Sequence, residues 1–185
     1  DGASFGHGDL LAEFSGNAQA VLSAERTALN FVQRLSGVAT LTAQFVGSVN
    51  GLKCRICGTR KTSPMLRQLE KQAIVHGGGS NHRHTLFNGI LIKENHIKMA
   101  GGITEAIRRA VEGTHHLMRI GIEVTNLEEF DEALAASADV IMLDNMSIEK
   151  MCEAVERARG QRVVLEASGN ATLERVRAMA ETGVQ

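Results

Sequence analysis

The stretch RIGIEVTNLEEFDEALAASADVIMLDN, residues 119–145, decides the fold of this chain. An apolar run, RIGIEV, is followed by LEEFDEALAA, in which apolar residues recur at helical spacing, and then by a second apolar run, VIMLDN. Nearly continuous apolar runs that alternate with amphipathic helices are typical of a parallel sheet covered by helices. The stretch therefore predicts a strand–helix–strand unit of an α/β protein.

The same alternation extends in both directions. KCRIC, GILIK and VVLEAS predict further strands, and MLRQLEKQAIV, TEAIRRAVEG, IEKMCEAVERA and TLERVRAMAETG predict further helices. Gly77 to Gly79 are a natural helix stop, and Thr104 is a plausible helix cap. A closed α/β barrel needs about eight strand–helix units and roughly 250 residues. Because the chain shows five units in 185 residues, we predict an incomplete α/β barrel that is truncated at its C-terminus.

The region before the first predicted strand has a different pattern. Residues 1–14 combine turn residues with short apolar pieces and predict a hairpin or strand pair. From about Ala20 to Val49 the apolar residues have helical spacing, and Gly37 predicts a break in that helix.

Composition excludes several classes of protein. With 43% hydrophobic residues and a formal net charge of −1, the chain can form one domain with a real core. No apolar run is long enough to cross a membrane. The low net charge and the absence of Trp and Tyr argue against nucleic-acid binding. Only three cysteines are present, which favours a cytoplasmic location, and we expect Cys54 and Cys57 to be buried thiols.

The charges are distributed unevenly along the chain. Residues 53–98 contain nine Lys and Arg against two Glu, whereas residues 121–158 contain two Lys and Arg against ten Asp and Glu. A ligand with several negative groups and a metal ion would use both regions.

Polar and charged residues follow every predicted strand. They are Thr59, Arg60 and Lys61 after the first strand, Lys93, Glu123 and Asp144 at the next three, and Glu166, Ser168, Gly169 and Asn170 at the fifth. The carboxyl ends of parallel strands are where α/β folds place active sites. We therefore expect these residues to share one pocket.

The cationic stretch TRKTSPMLRQLEKQAIVHGGGSNHR, residues 59–83, suggests a receptor for anions. An arginine on a loop, such as Arg60, can hold a carboxylate with two hydrogen bonds. The glycines of GGGSNHR would let backbone approach a ligand while His82 and Arg83 point into the site. A solvated helix face would explain Arg67, Glu70 and Lys71.

The acidic side has a different chemistry. Glu123 and Asp144 supply hard oxygen ligands that suit Mg²⁺ or the hydroxyls of a sugar. The small residues of the SGN triplet, residues 168–170, precede a predicted helix and suit a phosphate.

Several motifs together resemble the quinolinate phosphoribosyltransferase family. They are ERTALNF, RLSGVAT, TRKT, GGGSNHR, LIKENHI, LDNM and EASGN, and the likeness runs from about Leu10 to Val184. The resemblance implies a remnant of an N-terminal α/β sandwich domain over residues 1–34 and a barrel domain over residues 35–185. It implies a homodimer or larger homo-oligomer that joins quinolinate to 5-phosphoribosyl-1-pyrophosphate with Mg²⁺, releasing CO2 and pyrophosphate to give nicotinate mononucleotide.

The resemblance also implies a role for each matching residue. Thr59, Arg60, His82 and Arg83, with Lys93 alongside, would bind quinolinate, and Lys61 would lie near the pyrophosphate. Arg26 would reach the site of a neighbouring subunit. Glu123 and Asp144 would bind the ribose hydroxyls and Mg²⁺, and Ser168, Gly169 and Asn170 the 5′-phosphate. Lys61, Lys93, Glu123 and Asp144 are the residues expected to act in catalysis.

Three positions depart from the family pattern. Gly58 replaces an acid, Met65 replaces a glycine, and Gly121 replaces one of two glutamates on the third strand. Two alternatives therefore stay open, namely a related enzyme that uses another anionic base, and an inactive fragment that only binds ligand or assembles.

Overall fold

The computed structural model describes residues 2–185 of the chain. Asp1, the first residue of the predicted N-terminal remnant, lies outside the described residues. The chain divides into two compact units, one formed by residues up to 47 with residues 56–82, and the other by residues 48–55 with residues 83–185. Both units combine helices with parallel strands, which confirms the predicted α/β class.

The first unit contains one long helix, α1, spanning Ala18–Ser48. The predicted break near Gly37 is wrong, because apolar residues continue at helical spacing on both sides of this glycine and the helix tolerates it. The predicted strand pair at the N-terminus is also wrong, since residues 2–14 form no strand. The predicted domain boundary between residues 34 and 35 lies within α1.

Two short strands and a helix complete the first unit. Strand β1 is Cys57–Gly58, helix α2 is Arg67–His76, and strand β2 is Ser80–Asn81. β1 and β2 pair in parallel, and β2 was not predicted because two residues show no period.

The triple glycine between α2 and β2 allows close packing within this unit. A Cβ on Gly77 would lie 2.4 Å from the carbonyl oxygen of Ala39, and a Cβ on Gly79 would lie 2.8 Å from Cγ2 of Thr42. Gly77 and Gly79 are therefore needed for the packing against α1, and the approach of a ligand to their backbone stays a prediction.

The second unit is built on one parallel sheet. Its elements are β3 (Ile90–Ile92), α3 (Glu94–Ala100), α4 (Ile103–Glu112), β4 (Ile120–Val124), α5 (Leu127–Ala135), β5 (Val140–Asp144), α6 (Ile148–Arg157), β6 (Val164–Ser168) and α7 (Val176–Glu181), with a short 3-10 helix at Leu86–Asn88 before β3. The four strands lie in the order β3-β4-β5-β6. This regular alternation confirms the prediction made from residues 119–145 and its neighbours.

In the second unit one helix was missed and one local prediction is wrong. Helix α3 was not predicted, since its seven residues are mostly polar. Thr104 does not cap α4, because Gly102 is the N-cap. The Thr104 hydroxyl and amide instead donate to Oε1 of Glu132, at 2.8 and 2.9 Å.

The pleat of the strands places the apolar core residues and the polar residues on opposite faces of the sheet. Ile122, Val124, Ile141 and Leu143 are fully buried and form the centre of the hydrophobic core. Glu123 and Asp144, which alternate with them, and Ser168, which pairs with Asp144 on β6, are only half-buried. Because successive side chains of a strand point to opposite faces, all the polar residues share the face opposite the core.

The cysteines differ in part from the prediction. All three are free thiols, but Cys57 is exposed and Cys54 is half-buried, so the expectation that both are buried is wrong for Cys57. It lies on a two-residue strand, which offers little cover. Burial is the largest influence on Cys54 and raises the pKa of its thiol. No helix within residues 2–185 has the length and apolar character needed to span a membrane.

Candidate active site

The carboxyl ends of β3 to β6 bring four predicted site residues to one edge and one face of the sheet. In the register of β5 and β6, Asp144 is the partner of Ser168, and Glu123 on β4 is the partner of Met142. Asp144 lies two residues beyond Met142 and therefore points to the same side as Glu123. Lys93 directly follows β3 and reaches this face from the other end of the row.

Lys93 and Glu123 form an ion pair across the ends of β3 and β4. The backbone amide of Lys93 donates to Nδ1 of His96 at 2.9 Å, which fixes the turn from β3 into α3. The lysine is thereby directed over the sheet, where its ammonium group partly offsets the acidic character of the face.

Asp144 is the centre of a hydrogen-bonded group at the ends of β5 and β6. Its Oδ1 accepts from the Ser168 hydroxyl at 2.9 Å, and its Oδ2 accepts from the Asn145 side chain at 3.1 Å. Oδ1 of Asn145 accepts in turn from Nδ2 of Asn170 at 3.0 Å. The predicted residues Asp144, Ser168 and Asn170 are thus held in one cluster.

Asn145 is a member of this cluster that the sequence analysis missed. It has a left-handed backbone with φ of 55°, as do Gly169 with φ of 81° and Asn170 with φ of 51°. A Cβ on Gly169 would lie 2.1 Å from Oδ1 of Asn145, so only glycine fits beside this side chain. Left-handed residues concentrate at functional sites, and the Asp-Asn pair at a strand end was the signal that could have revealed Asn145.

Arg83 also belongs to the second unit and is half-buried. Its Nη1 donates to the carbonyl oxygen of Gly89 at 2.9 Å, just before β3. This contact places the arginine beside the residue that precedes β3, whereas Lys93 follows the carboxyl end of the same strand.

In the first unit, Thr59 to Thr62 form the loop after β1, hereafter the TRKT loop. The amide of Lys61 donates to Oγ1 of Thr59 at 3.1 Å, and the amide of Thr62 donates to the carbonyl oxygen of Arg60 at 2.9 Å. Nε of Arg60 is buried and has no hydrogen-bond partner within the described residues. A buried donor without a partner is costly, and a bound anion would satisfy it.

His82 follows β2, and its amide donates to the carbonyl oxygen of Gly58 at 3.2 Å. The TRKT loop and His82 therefore leave the same end of the small parallel sheet, since β1 and β2 run in the same direction. Arg26 lies in the exposed first half of α1.

A solvated helix face, the alternative explanation for the charges of α2, does not account for two of its three residues. Glu70 is 6% exposed and Lys71 is 1% exposed. Hydrogen bonding from Arg34 is the largest influence on Glu70 and lowers the pKa of its carboxyl, with Ser63 adding to the effect and burial opposing it. Burial lowers the pKa of the Lys71 ammonium, Arg67 lowers it further, and Cys57 opposes the shift.

The carboxylates of the acidic face determine whether it fits Mg²⁺. Among residues 2–185 no group of three or more His, Cys, Asp or Glu side chains is arranged to hold a metal ion. Mg²⁺ commonly keeps several waters and is bound by one or two carboxylates together with substrate phosphates. Glu123 and Asp144 provide such a pair on adjacent strands, so they fit an ion that arrives with a phosphorylated ligand.

A parallel sheet with carboxylates, a lysine and a glycine turn at its strand ends is typical of α/β proteins that bind sugar phosphates. The model of the quinolinate phosphoribosyl transferase C-terminal domain matches residues 38–185, and that of the N-terminal domain matches residues 1–36. The chain belongs to the quinolinate phosphoribosyltransferase family, which confirms the resemblance.

Individual relatives agree with this assignment. The chain is 44% identical over 184 residues to a probable nicotinate-nucleotide pyrophosphorylase (carboxylating) of Bacillus subtilis, covering 100% of this chain and 63% of that protein. It is 41% identical to the nicotinate-nucleotide pyrophosphorylase (carboxylating) of Mycobacterium leprae, covering 100% of this chain and 65% of the relative. The structure of NadC from Streptococcus pyogenes, 38% identical, matches with a TM-score of 0.94 and covers 100% of this chain and 64% of that one. The chain thus spans less than two thirds of the length of these relatives.

Proposed function

We propose that this chain carries the site that transfers phosphoribosyl from 5-phosphoribosyl-1-pyrophosphate to quinolinate. The products are nicotinate mononucleotide, CO2 and pyrophosphate, as in NAD biosynthesis. The observation that carries the proposal is the shared face of Lys93, Glu123, Asp144 and Ser168 at the ends of a parallel sheet, in a chain of this family.

The cations are proposed to bind the pyridine substrate, which is a dianion. Arg60 and Arg83 offer planar guanidinium groups that suit carboxylates, and Thr59 and His82 add hydrogen-bond donors. The buried and unpartnered Nε of Arg60 supports its assignment to an anion. We assign Lys61, which is exposed on the same loop, to the pyrophosphate, and Arg26 to the site of a second copy of the chain.

The acidic face is proposed to bind the ribose. Glu123 and Asp144 would hold its hydroxyls and, together with the substrate phosphates, Mg²⁺. The turn at Ser168 to Asn170 would bind the 5′-phosphate, which its left-handed Gly169 and Asn170 support because backbone amides can approach a ligand there. When bound, Mg²⁺ supplies positive charge that stabilises the departing pyrophosphate.

The proposed chemistry needs no covalent nucleophile. As the bond to pyrophosphate breaks, the ribose gains positive charge, which the carboxylates of Glu123 and Asp144 stabilise. Lys93, which is paired with Glu123, can contact a carboxylate of the pyridine while holding that glutamate in place. Alignment of the pyridine nitrogen with the anomeric carbon supplies much of the remaining acceleration. Once the pyridine nitrogen carries the ribosyl group, its positive charge stabilises the electron pair that loss of CO2 leaves on the ring carbon, and this carbon then takes up a proton from water.

We propose a homodimer or larger homo-oligomer, which is supported by the exposed apolar residues of α1. We propose a cytoplasmic location, which is supported by three free thiols. We also propose that residues 1–34 are a remnant of an N-terminal α/β sandwich domain and that residues 35–185 belong to an incomplete α/β barrel domain.

The test is an assay with the full natural chain, both substrates and Mg²⁺, following nicotinate mononucleotide. We expect product with quinolinate, none after chelation of Mg²⁺, and a loss of about 100-fold in kcat for Asp144→Asn. Glu128→Gln, an exposed glutamate elsewhere in the same unit, is the matched control. Turnover of another anionic base but not quinolinate would identify a related enzyme instead, and ligand binding without turnover would indicate a fragment that only binds.

The division of labour can be tested separately. Arg83→Ala is expected to abolish binding of quinolinate and to spare binding of 5-phosphoribosyl-1-pyrophosphate in calorimetry. Arg159→Ala is the control, because it removes an exposed arginine that is distant in sequence from GGGSNHR. It should change the affinity for neither ligand. Equal loss of both ligands in Arg83→Ala would contradict the assigned roles.

A further inference from the structure

The buried lysine of α2 connects the ends of β1 and β2. Nζ of Lys71 donates to the carbonyl oxygen of Gly58 at 3.2 Å and to Oδ1 of Asn81 at 3.3 Å. The Asn81 side chain donates back to the carbonyl oxygen of Lys71 at 2.8 Å. Gly58 immediately precedes the TRKT loop, and Asn81 immediately precedes His82. One ammonium group therefore joins the two points from which the predicted anion-binding residues depart.

The residue before this lysine holds the other end of the same loop. Oε2 of Glu70 accepts from the amide of Ser63, directly after the loop, at 3.1 Å. Oε1 of Glu70 accepts from Nη2 of Arg34 at 2.7 Å, and the same Nη2 donates to Oγ of Ser63 at 2.5 Å. The loop is thus fixed at its start by Lys71 and at its end by Glu70.

A third charged residue of α2 contacts the middle of the loop. Nε of Arg67 donates to Oγ1 of Thr62 at 3.1 Å, and its Nη2 donates to the carbonyl oxygen of Arg60 at 3.3 Å. Three charged residues on one helix therefore contact the residue before the loop, the loop itself and the residue after it, and none of these contacts uses the side chain of Arg60 or Lys61.

Stability alone does not account for a lysine in this position. Lys71 is 1% exposed, and the hydrogen bonds of its ammonium group go to a carbonyl and an amide oxygen. Removing a charged group from water is costly, and replacing it with an apolar side chain of similar volume is often neutral or stabilising. What an apolar side chain could not supply is the pair of hydrogen bonds that sets the spacing between the strand ends.

We propose that Lys71, supported by Arg67 and Glu70, is a positioning residue that holds the TRKT loop in the geometry needed to bind an anionic substrate. It touches no substrate and acts through the backbone of Gly58 and the side chain of Asn81. The proposal rests on the proposed function for the identity of the anion, but the contacts that carry it do not.

The experiment compares three variants of the full natural chain. Lys71→Met removes the ammonium group and keeps the length of the side chain. Arg67→Ala removes the contacts to the middle of the loop from an exposed position, so it cannot disrupt the core. Gln72→Met introduces the same new side chain as the first variant at the next, exposed position of α2 and is the matched control.

Hydrogen exchange followed by mass spectrometry reports on the loop without any ligand. In Lys71→Met and Arg67→Ala we expect the peptide covering residues 56–66 to exchange about fivefold faster or more, with peptides from β4 and β5 unchanged. Gln72→Met should match the original chain. Equal exchange of this peptide in all four proteins would overturn the proposal, and if Lys71→Met does not fold, Arg67→Ala decides.

Calorimetric titration with quinolinate is the second measurement. We expect Kd to rise about tenfold, or 1.4 kcal/mol, in Lys71→Met, with no change in Gln72→Met. Faster loop exchange with an unchanged Kd would overturn the role in binding. Failure of the original chain to bind quinolinate would count against the proposed function instead, and the exchange measurement alone would then decide whether α2 positions the loop.

Discussion

Met65 has a left-handed backbone with φ of 64°, and its side chain is 99% exposed. A side chain in this conformation costs about 1 kcal/mol, and glycine avoids most of that cost. We therefore expect Met65→Gly to raise the free energy of unfolding by up to about 1 kcal/mol, as measured by urea denaturation. The family resemblance places a glycine at this position. The methionine therefore adds local backbone strain and makes no new contact.

Met99→Gly is a control for which we expect the opposite change in the free energy of unfolding. It is also exposed but lies inside α3, where glycine disfavours the helix by about 1 kcal/mol. Met99→Gly should therefore lower the free energy of unfolding. A loss of stability in both variants would show that the backbone at Met65 is not strained.

At the residue scale, the sequence predicted the polar side chains at the edge of the sheet better than the charged residues that support the TRKT loop. Lys93, Glu123, Asp144 and Ser168 could be predicted because the carboxyl ends of parallel strands meet at one edge. Lys71 could not, since a charged residue at helical spacing normally faces water. Only tertiary contacts with Gly58 reveal that it is buried.

The packing of α1 against the triple glycine is a property of elements. A Cβ on Gly77 would meet the backbone of Ala39 at 2.4 Å, which no side-chain movement can relieve. Gly77→Ala is therefore expected to lower the free energy of unfolding by about 2 kcal/mol. Gly37→Ala adds the same methyl group within α1, where nothing lies within 4 Å, and should raise it by about 0.5–1 kcal/mol. Similar effects of the two substitutions on urea denaturation would contradict this packing.

The link between α2 and the TRKT loop should make stability depend on pH. The folded state lowers the pKa of Glu70 from 4.5, chiefly through Arg34, so the unfolded state binds more protons just below that value. The stabilisation is then complete above pH 4.5 and is lost as the pH falls through the folded pKa.

Urea denaturation between about pH 3 and pH 6 measures this effect. We expect the free energy of unfolding to fall with decreasing pH, and to fall less steeply in Glu70→Gln. Glu128→Gln, at an exposed position of α5, should keep the original slope. An unchanged slope in Glu70→Gln would mean that this carboxyl is not held by its partners in solution.

At the element scale, the predictions held where a periodic pattern was long. The strands and helices from β3 to α7 follow runs of five or more patterned residues, apart from the short polar helix α3. The alternating run KCRIC predicted a strand, of which only Cys57 belongs to β1, and the two-residue strand β2 is too short to show a period. The N-terminal strand pair was predicted from turn residues and short apolar pieces. A single glycine such as Gly37 does not end a helix whose apolar spacing continues beyond it.

The exposed first half of α1 is relevant to the oligomeric state of the whole molecule. Every residue from 18 to 34 is exposed, and Leu22 is 71% exposed. If this surface is covered in a homo-oligomer, as proposed, each buried leucine contributes about 2 kcal/mol. Leu22→Glu should then shift the protein toward monomer in sedimentation velocity, while Gln19→Glu, on the same exposed helix, should not. A wild-type protein that sediments as a monomer at high concentration would contradict the proposed assembly.

The pleat of β5 has a consequence for how the length of the chain can vary. Leu143 lies in the core, and its neighbour Asp144 lies on the acidic face. Deleting one residue from the strand would exchange their positions, so folding and chemistry would be lost together. Insertions in the largely exposed connection at residues 113–117 would change neither the register of the strand nor the face on which each side chain lies. Homologues should therefore differ in length in such connections and keep the strand lengths constant.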